Sequence, residues 1–295
     1  MKKLIFVIVI IVLSITVVMN NKETTFEKAD LSVQAKAIIL LDADTGKVMY
    51  EENSTEALPI ASMSKLMTEY LVLNAIKSGT LSWESTYEPS AYIQQIKGLS
   101  AAVKLGMTPG HSYTVDELFT AMTVHSANDA AMALAEMISG TEEAFVELMN
   151  KQAKSFGLKE TTFYNASGLD GDYIGKGREE TNLASAQDVS IIARKLIAKH
   201  PEVLDFTKLT SFKTGNGTTL WSTNLMLEGM PQAFPGIDGL KTGYTDLAGS
   251  CFAGTGVFEG RRIISVVMAV ESERGDTTTP RFELTKELIE RFVLN

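Results

Sequence analysis

Pro59-Ile60-Ala61-Ser62-Met63-Ser64-Lys65-Leu66-Met67-Thr68 puts a serine at the start of an apolar-periodic helix and a lysine three residues later. Residues three apart on a helix are surface neighbours, so the hydroxyl and the amine face one another. A serine hydroxyl is a poor nucleophile near neutral pH and needs an adjacent base, and a desolvated lysine with a lowered pKa can be one. The helix start adds unpaired backbone N–H groups that can hold a developing oxyanion. Alone the motif is short, since a Ser-x-x-Lys arises by chance roughly once in a chain of this length. In the plain structural alternative Ser62 caps the helix by accepting from the N–H of residue 64 or 65, and Lys65 is solvated. The rest of the chain decides between the two.

The 295 residues are 45% hydrophobic and 21% charged, which fits one large globular domain or two small ones with an ample core. A net charge of −9 and the lack of any Lys/Arg-rich run argue against nucleic-acid binding. One cysteine, Cys251, rules out an internal disulfide framework. The three scattered histidines, His111, His125 and His200, form no His-Glu-x-x-His, so neither a metal nor another cofactor is expected. The chemistry must then come from Ser, Lys, Asn and backbone.

At the N-terminus Lys2-Lys3 precede an apolar run from Leu4 to Leu13 that extends to Met19 before the polar Asn20-Asn21-Lys22-Glu23. Residues 1–26 therefore read as a signal peptide or an N-terminal membrane anchor, and any membrane contact is assigned to this segment. No small-x-small cleavage site follows closely, so both forms stay open, and the absence of a following cysteine excludes a lipoprotein anchor. Residues 27–295 are expected to work outside the cytoplasm, in the cell envelope or secreted.

Further along, residues 37–42 and 47–50 read as strands around Asp44-Thr45-Gly46, a hairpin that leads into the Ser62 helix. That helix stops at Ser78-Gly79. Its Met and Leu stripe reads as core. From Leu81 to about His200 the pattern is mostly helical. Thr114-Val115-Asp116-Glu117 is a capping box, and its helix ends at His125-Ser126-Ala127-Asn128-Asp129, where a second apolar helix begins at once. Ser126 and Asn128 thus lie on a short connection between two buried helices, and Asn128 or Asp129 serves equally well as a cap. After an irregular stretch at residues 161–169 a helix is expected at 184–198. Beyond Pro201 three strands with glycine turns occupy residues 237–245, 248–253 and 262–270, and an amphipathic helix starts near Pro280.

Three elements now stand in order: Ser62-x-x-Lys65, Ser126-x-Asn128 and Lys241-Thr242-Gly243. The set resembles the penicillin-interacting serine enzymes. Its surroundings, including Asp42-Ala43-Asp44-Thr45-Gly46, Ser167-Gly168-Leu169 and Asp238-Gly239-Leu240-Lys241-Thr242-Gly243-Tyr244-Thr245, look like the low-molecular-mass D-alanyl-D-alanine carboxypeptidases, from about Ala37 to Val293. A second Lys-Thr-Gly at Lys213-Thr214-Gly215 and a second Ser-x-Asn at Ser222-Thr223-Asn224 are set aside as decoys, the latter because Ser222 lies far along the chain from the helix junction.

The resemblance implies an α/β fold: an antiparallel sheet built from both chain ends and flanked by helices, with a mainly helical lobe at about residues 80–200 and the active site between lobe and sheet. It implies peptidoglycan stem peptides ending in D-Ala-D-Ala as substrate and β-lactam antibiotics as covalent inhibitors. By this carry-over Ser62 is the nucleophile and Lys65 its base, while Ser126 bridges the two lysines and passes a proton to the leaving amine. Asn128 binds the substrate's backbone amide, and Lys241 with Thr242 holds its terminal carboxylate. Gly243 leaves room for the peptide along the strand, or else is a bulge glycine. The Tyr244 N–H joins that of Ser62 in the oxyanion hole, and Thr245 completes the substrate-binding strand. His125 and Cys251 are expected to be packing residues.

Two departures stand out. Many relatives continue into a β-rich module and an anchoring helix, whereas this sequence ends at Asn295, and Tyr244 stands where some relatives carry histidine. The rival readings are a serine β-lactamase, against which the absence of a Glu-x-x-Leu-Asn loop counts, and a non-catalytic penicillin sensor or cell-wall binding module, which needs no nucleophile. Transfer of the acyl group to an amine, as in transpeptidation or endopeptidation, also stays open.

Overall fold

The structure, a computed structural model, describes residues 28–95, 102–271 and 278–295. The segment read as a signal peptide or anchor, residues 1–26, lies outside them. Among the described residues no helix is long and apolar enough to cross a membrane.

The first hairpin joins β1 (Ala35–Asp42) to β2 (Val48–Glu52). Its turn is fixed by Asp42, whose Oδ1 accepts both the N–H and the hydroxyl of Thr45 at 2.8 Å. These bonds hold the Asp42 carboxyl below the usual carboxylate range. The nucleophile's segment follows. The sequence suggested a helix beginning at Ser62, but residues Ala61–Ser64 form a 3-10 turn and helix α1 proper runs Lys65–Lys77. It ends at Ser78-Gly79, where Gly79 takes φ +77°.

Next come α2 (Val115–Val124), α3 (Asn128–Ser139) and α4 (Glu142–Phe156). Thr114 caps α2 by accepting from Glu117 N at 3.1 Å, and Thr141 caps α4 in the same way. Helix α5 (Ala186–Lys199) begins two residues later than its periodicity suggested, because Ser185 is its cap. A small hairpin, β3 (Ser211–Lys213) with β4 (Thr219–Trp221), precedes the long strands β5 (Ile237–Thr245), β6 (Gly249–Phe258) and β7 (Arg261–Val270). Helix α6 (Pro280–Phe292) closes the described chain.

The main sheet has the order β2-β1-β7-β6-β5, antiparallel throughout. Strands from both chain ends thus lie side by side, with Ile39 opposite Val266, as the α/β reading required. Successive side chains point to opposite faces, and here both faces are covered. Ile39, Leu41, Ile264 and Val266 pack into the core shared with α1 and α5, while Ile38, Leu40, Val267 and Phe252 pack with Phe282, Leu284 and Leu288 of α6. Hence the strands read as continuous apolar runs rather than alternating ones. Helix α5 packs on β1 and β7, and α2, α3 and α4 gather around α1. Strand β5 is an edge, so the N–H groups of every second residue point out of the sheet. That edge lies against the Ser62 turn.

Candidate active site

Ser62 is held from three sides. Its own turn is strained at Ala61, which has φ +45°. From one side the loop at residues 165–169 presses on this turn: a Cβ on Gly168, whose φ is +86°, would lie 2.0 Å from the Ala61 carbonyl oxygen and 2.9 Å from Ser62 N. From the other side β5 approaches so closely that a Cβ on Gly243 would meet the Ile60 carbonyl oxygen at 2.9 Å. Gly243 is therefore required by contact with the nucleophile's turn, a reason that neither of its sequence readings contained. No break in the pairing of β5 with β6 falls at Gly243.

Buried asparagines fix the loop. Asn165 Oδ1 accepts the N–H groups of Ser167 (3.1 Å) and Gly168 (2.6 Å). Asn182 Oδ1 accepts those of Tyr164 and Asn165, and its Nδ2 donates to Ser64 Oγ at 2.8 Å. The loop and the turn thus form one hydrogen-bonded unit.

Within it Lys65 is completely buried. Its Nζ donates to Ser62 Oγ at 2.9 Å, to Asn128 Oδ1 at 2.7 Å and to the Ser167 carbonyl at 2.5 Å. Burial pushes its pKa well below the usual lysine value, and the neighbouring charge of Lys241 pushes the same way. The Ser62 cap of the plain alternative is not made, since the hydroxyl instead takes the lysine proton donor. Asn128 does not cap α3 either. Asp129 is spent on the chain before it, accepting from the N–H groups of Leu105 and Gly106 at 2.8 Å.

Ser126 is buried with φ +66°, and no hydrogen bond joins it to Lys65 or Lys241 among the described residues. Lys241 is only 1% exposed, and its Nζ donates to the Thr242 carbonyl at 3.3 Å. Ser222-Thr223-Asn224, set aside as a decoy, packs on the helix junction: Thr223 N donates to the Val124 carbonyl at 3.2 Å, and Thr242 Oγ1 donates to Thr223 Oγ1 at 2.6 Å. Distance along the chain misled there, because the segment after β4 returns to the site.

The cleft itself is a cavity of about 200 Å³ lined by Ser62, Asn128, Gly168, Tyr244, Thr245 and Asp246 among others. Tyr244 is 46% exposed at its mouth, and Thr245 Oγ1 donates to Asp170 Oδ1 at 2.8 Å, tying the end of β5 to the loop. Arg281 of α6 donates to the Gly243 carbonyl at 2.8 Å from the other side of the strand. His125 Nδ1 donates to the Trp221 carbonyl at 2.9 Å, and Cys251 is buried, consistent with packing residues. Among the described residues no group of His, Cys, Asp and Glu is arranged to hold a metal ion.

The antiparallel sheet with helices on both faces, and a serine paired with a buried lysine at its edge, define the class: a serine–lysine protein with the fold of the penicillin-binding proteins and β-lactamases. Comparison with known proteins narrows this. The sequence profile of the D-alanyl-D-alanine carboxypeptidase family matches residues 22–272, and the chain belongs to that family. It is 34% identical to the D-alanyl-D-alanine carboxypeptidase DacF of Bacillus subtilis over 250 residues, which are 83% of this chain and 60% of DacF. The chain thus spans about three fifths of the curated relatives it matches. Among solved structures it is similar to the peptidoglycan synthesis regulatory factor PBP3 of Streptococcus pneumoniae, with a TM-score of 0.84 and 41% identity over 88% of this chain and 73% of that one. It is also similar to penicillin-binding protein D2 of Listeria monocytogenes in its cefotaxime-bound form, with a TM-score of 0.77 and 37% identity over 89% of this chain and 98% of that one.

Proposed function

We propose that this chain is a serine-type D-Ala-D-Ala carboxypeptidase that removes the terminal D-Ala from peptidoglycan stem peptides and is acylated by β-lactams. One observation carries the reading: a fully buried Lys65 with its Nζ 2.9 Å from Ser62 Oγ. Family membership and the cefotaxime-bound form of a relative support it.

In this mechanism Ser62 Oγ attacks the carbonyl carbon of the penultimate D-Ala while its proton passes to neutral Lys65. The carbonyl oxygen, now negative, is received by the N–H groups of Ser62 and Tyr244, each worth about 3 kcal/mol of barrier. Collapse breaks the C–N bond, and Ser126 gives a proton to the leaving amine and takes one from protonated Lys65, a step that requires Ser126 to move within hydrogen-bond reach of Lys65. Water then cleaves the ester and regenerates Ser62. Thr242 receives the terminal carboxylate in the field of buried Lys241, Asn128 meets the backbone amide, and the peptide lies along Gly243, Tyr244 and Thr245 of the edge strand. Such work is done outside the cytoplasm, in the cell envelope, where residues 1–26 would deliver or hold the chain.

The test is D-alanine release from a D-Ala-D-Ala-terminated pentapeptide by the full chain beside Ser62→Ala, with a fluorescent penicillin as a second probe. Release by the parent alone, with a slowly cleared penicilloyl adduct, supports the reading. Absence of release with many turnovers of penicillin makes the chain a β-lactamase, and inertness to both makes it a binding protein.

A further inference from the structure

Helix α1 is apolar almost all round, yet it carries Glu69 in its middle. Glu69 is completely buried, and both of its carboxylate oxygens lack a hydrogen-bond partner among the described residues. It stands four residues after Lys65, and positions i and i+4 share a helix face. The facing helix α2 offers the Thr123 hydroxyl, which is also buried and lacks a partner of good geometry. An unpaired carboxylate in an apolar core costs several kcal/mol, so a core helix has no packing reason to keep one.

The reason lies in the other buried charges. Lys65 and Lys241 are both interior groups, and two ammonium groups cannot share a dry site without a counter-charge. Both feel the Glu69 carboxylate, and it feels both of them. The other charged groups on the surrounding elements have hydrogen-bond partners of their own, although Asp129 and Glu142 also favour the charged form of Lys65 and Arg281 disfavours that of Lys241. On α3, Asp129 takes the amides of Leu105 and Gly106. On α4, Glu142 takes the N–H of Ala166 and the hydroxyl of Tyr92. On α5, Asp188 takes the N–H of Glu160, and Lys199 donates to Tyr70. On α6, Arg281 is a cation bound to the Gly243 carbonyl.

We propose that Glu69 is a positioning residue of the active site: its carboxylate is the internal counter-charge of the buried pair Lys65 and Lys241, and it lets that pair keep one ammonium in a dry interior. Of the arrangements open to the three groups, Glu69 ionised, Lys241 protonated and Lys65 neutral has zero net charge and provides both a base beside Ser62 and a positive field at Thr242. Burial favours the neutral forms of Glu69 and Lys241, raising one pKa and lowering the other, and their mutual attraction opposes it. The consequence for catalysis rests on the carboxypeptidase reading; the charge arrangement does not.

The test therefore reads protonation directly. The full chain with 13C-labelled lysine and glutamate side chains is titrated by NMR, as parent, Glu69→Gln and Glu69→Asp. A carboxylate favours the charged form of a lysine, so its removal lowers a lysine midpoint. In Glu69→Gln the Lys241 midpoint is expected to fall by at least about one pH unit, and Glu69→Asp to restore most of that shift. In the parent alone, the Glu69 carboxyl is expected to be ionised wherever Lys241 is protonated near neutral pH. An unmoved Lys241 midpoint in folded Glu69→Gln overturns the proposal, as does a parent Glu69 that stays protonated at neutral pH. The parent measurement decides the matter even if the Gln variant does not fold. If the parent releases D-alanine, both limbs of its pH profile move to lower pH in Glu69→Gln, whereas a merely structural Glu69 lowers Tm and leaves both limbs in place. A parent that releases none removes the carboxypeptidase reading and leaves the NMR result standing.

Discussion

The contact of Gly168 with the nucleophile's turn is the sharpest lever in the structure, and Gly168→Ala tests it. Two costs add. At φ +86° an alanine pays about 1–2 kcal/mol for a left-handed backbone. Its Cβ would also sit 2.0 Å from the Ala61 carbonyl oxygen, and since both partners are backbone no rotamer change relieves the overlap. Overpacking of this kind costs about 1–3 kcal/mol. The expected loss is then about 2–5 kcal/mol, a fall in Tm of roughly 4–20 °C for a domain of this size. The loop or the turn must give way, and a displacement of Ser62 near 1 Å costs about 100-fold in acylation. Gly175→Ala is the control. Its φ is +74°, but nothing lies within 4 Å of its Cβ position, so it carries the backbone cost alone and leaves acylation unchanged. Melting curves and the rate of labelling by a fluorescent penicillin read both effects. A Gly168→Ala protein that melts with the Gly175→Ala control and is acylated at the parent rate would refute the claim that this loop clamps the nucleophile.

Lys65→Met removes the base, and acylation measured by penicillin labelling is expected to fall by about 100- to 10,000-fold. Because the folded pKa of Lys65 is depressed below its ordinary 10.5, the native state binds fewer protons than the unfolded one between the two values. The stability that Lys65 contributes therefore rises with pH across that window by up to about 1.4 kcal/mol per unit. The gap in melting temperature between parent and Lys65→Met should widen in the parent's favour from pH 7 to pH 9, and parallel curves would contradict the burial argument. In the parent, acylation should rise with pH through a midpoint well below 10.5, since the neutral base is present above the depressed pKa and lost below it. Cys251, fully buried and with its thiol pushed up to about 11, should resist thiol reagents at pH 8 and react fully only in denaturant.

What the sequence carried openly was local. Ser62 and Lys65 are three residues apart, the Thr114 cap and the Asp42 turn lie within four residues, and the sheet's strands are long apolar runs, so spacing alone was informative. What it hid depends on contacts between distant segments. The Ser167 carbonyl that takes a bond from Lys65 is backbone, and any residue type supplies one. Thr223 was masked by the habit of equating distance in chain with distance in space, although its hydroxyl meets Thr242 across 19 residues. The close approach that demands Gly243 belongs to Ile60 and Ala61, far earlier in the chain. Glu69 was overlooked within a stripe read as core. Its signal was there, since a lone acid four residues after a candidate base in an apolar helix is out of place.

These hidden contacts share a physical logic. A serine and a lysine on one exposed helix would stay an alcohol and a cation, because water solvates the ammonium and keeps its pKa near 10.5. Lys65 becomes a base only when the residues 165–169 loop, the α2–α3 junction and the β5 edge close over it and exclude water, so that burial and the nearby charge of Lys241 outweigh the acceptors that would hold its proton. The same closure buries Lys241 and Glu69, so one act of packing shifts all three pKa values. It also explains why the turn is gripped by Gly168 and Gly243 rather than left to its own helix. A loosened turn would admit water beside Lys65, and admitted water would restore the proton that silences it.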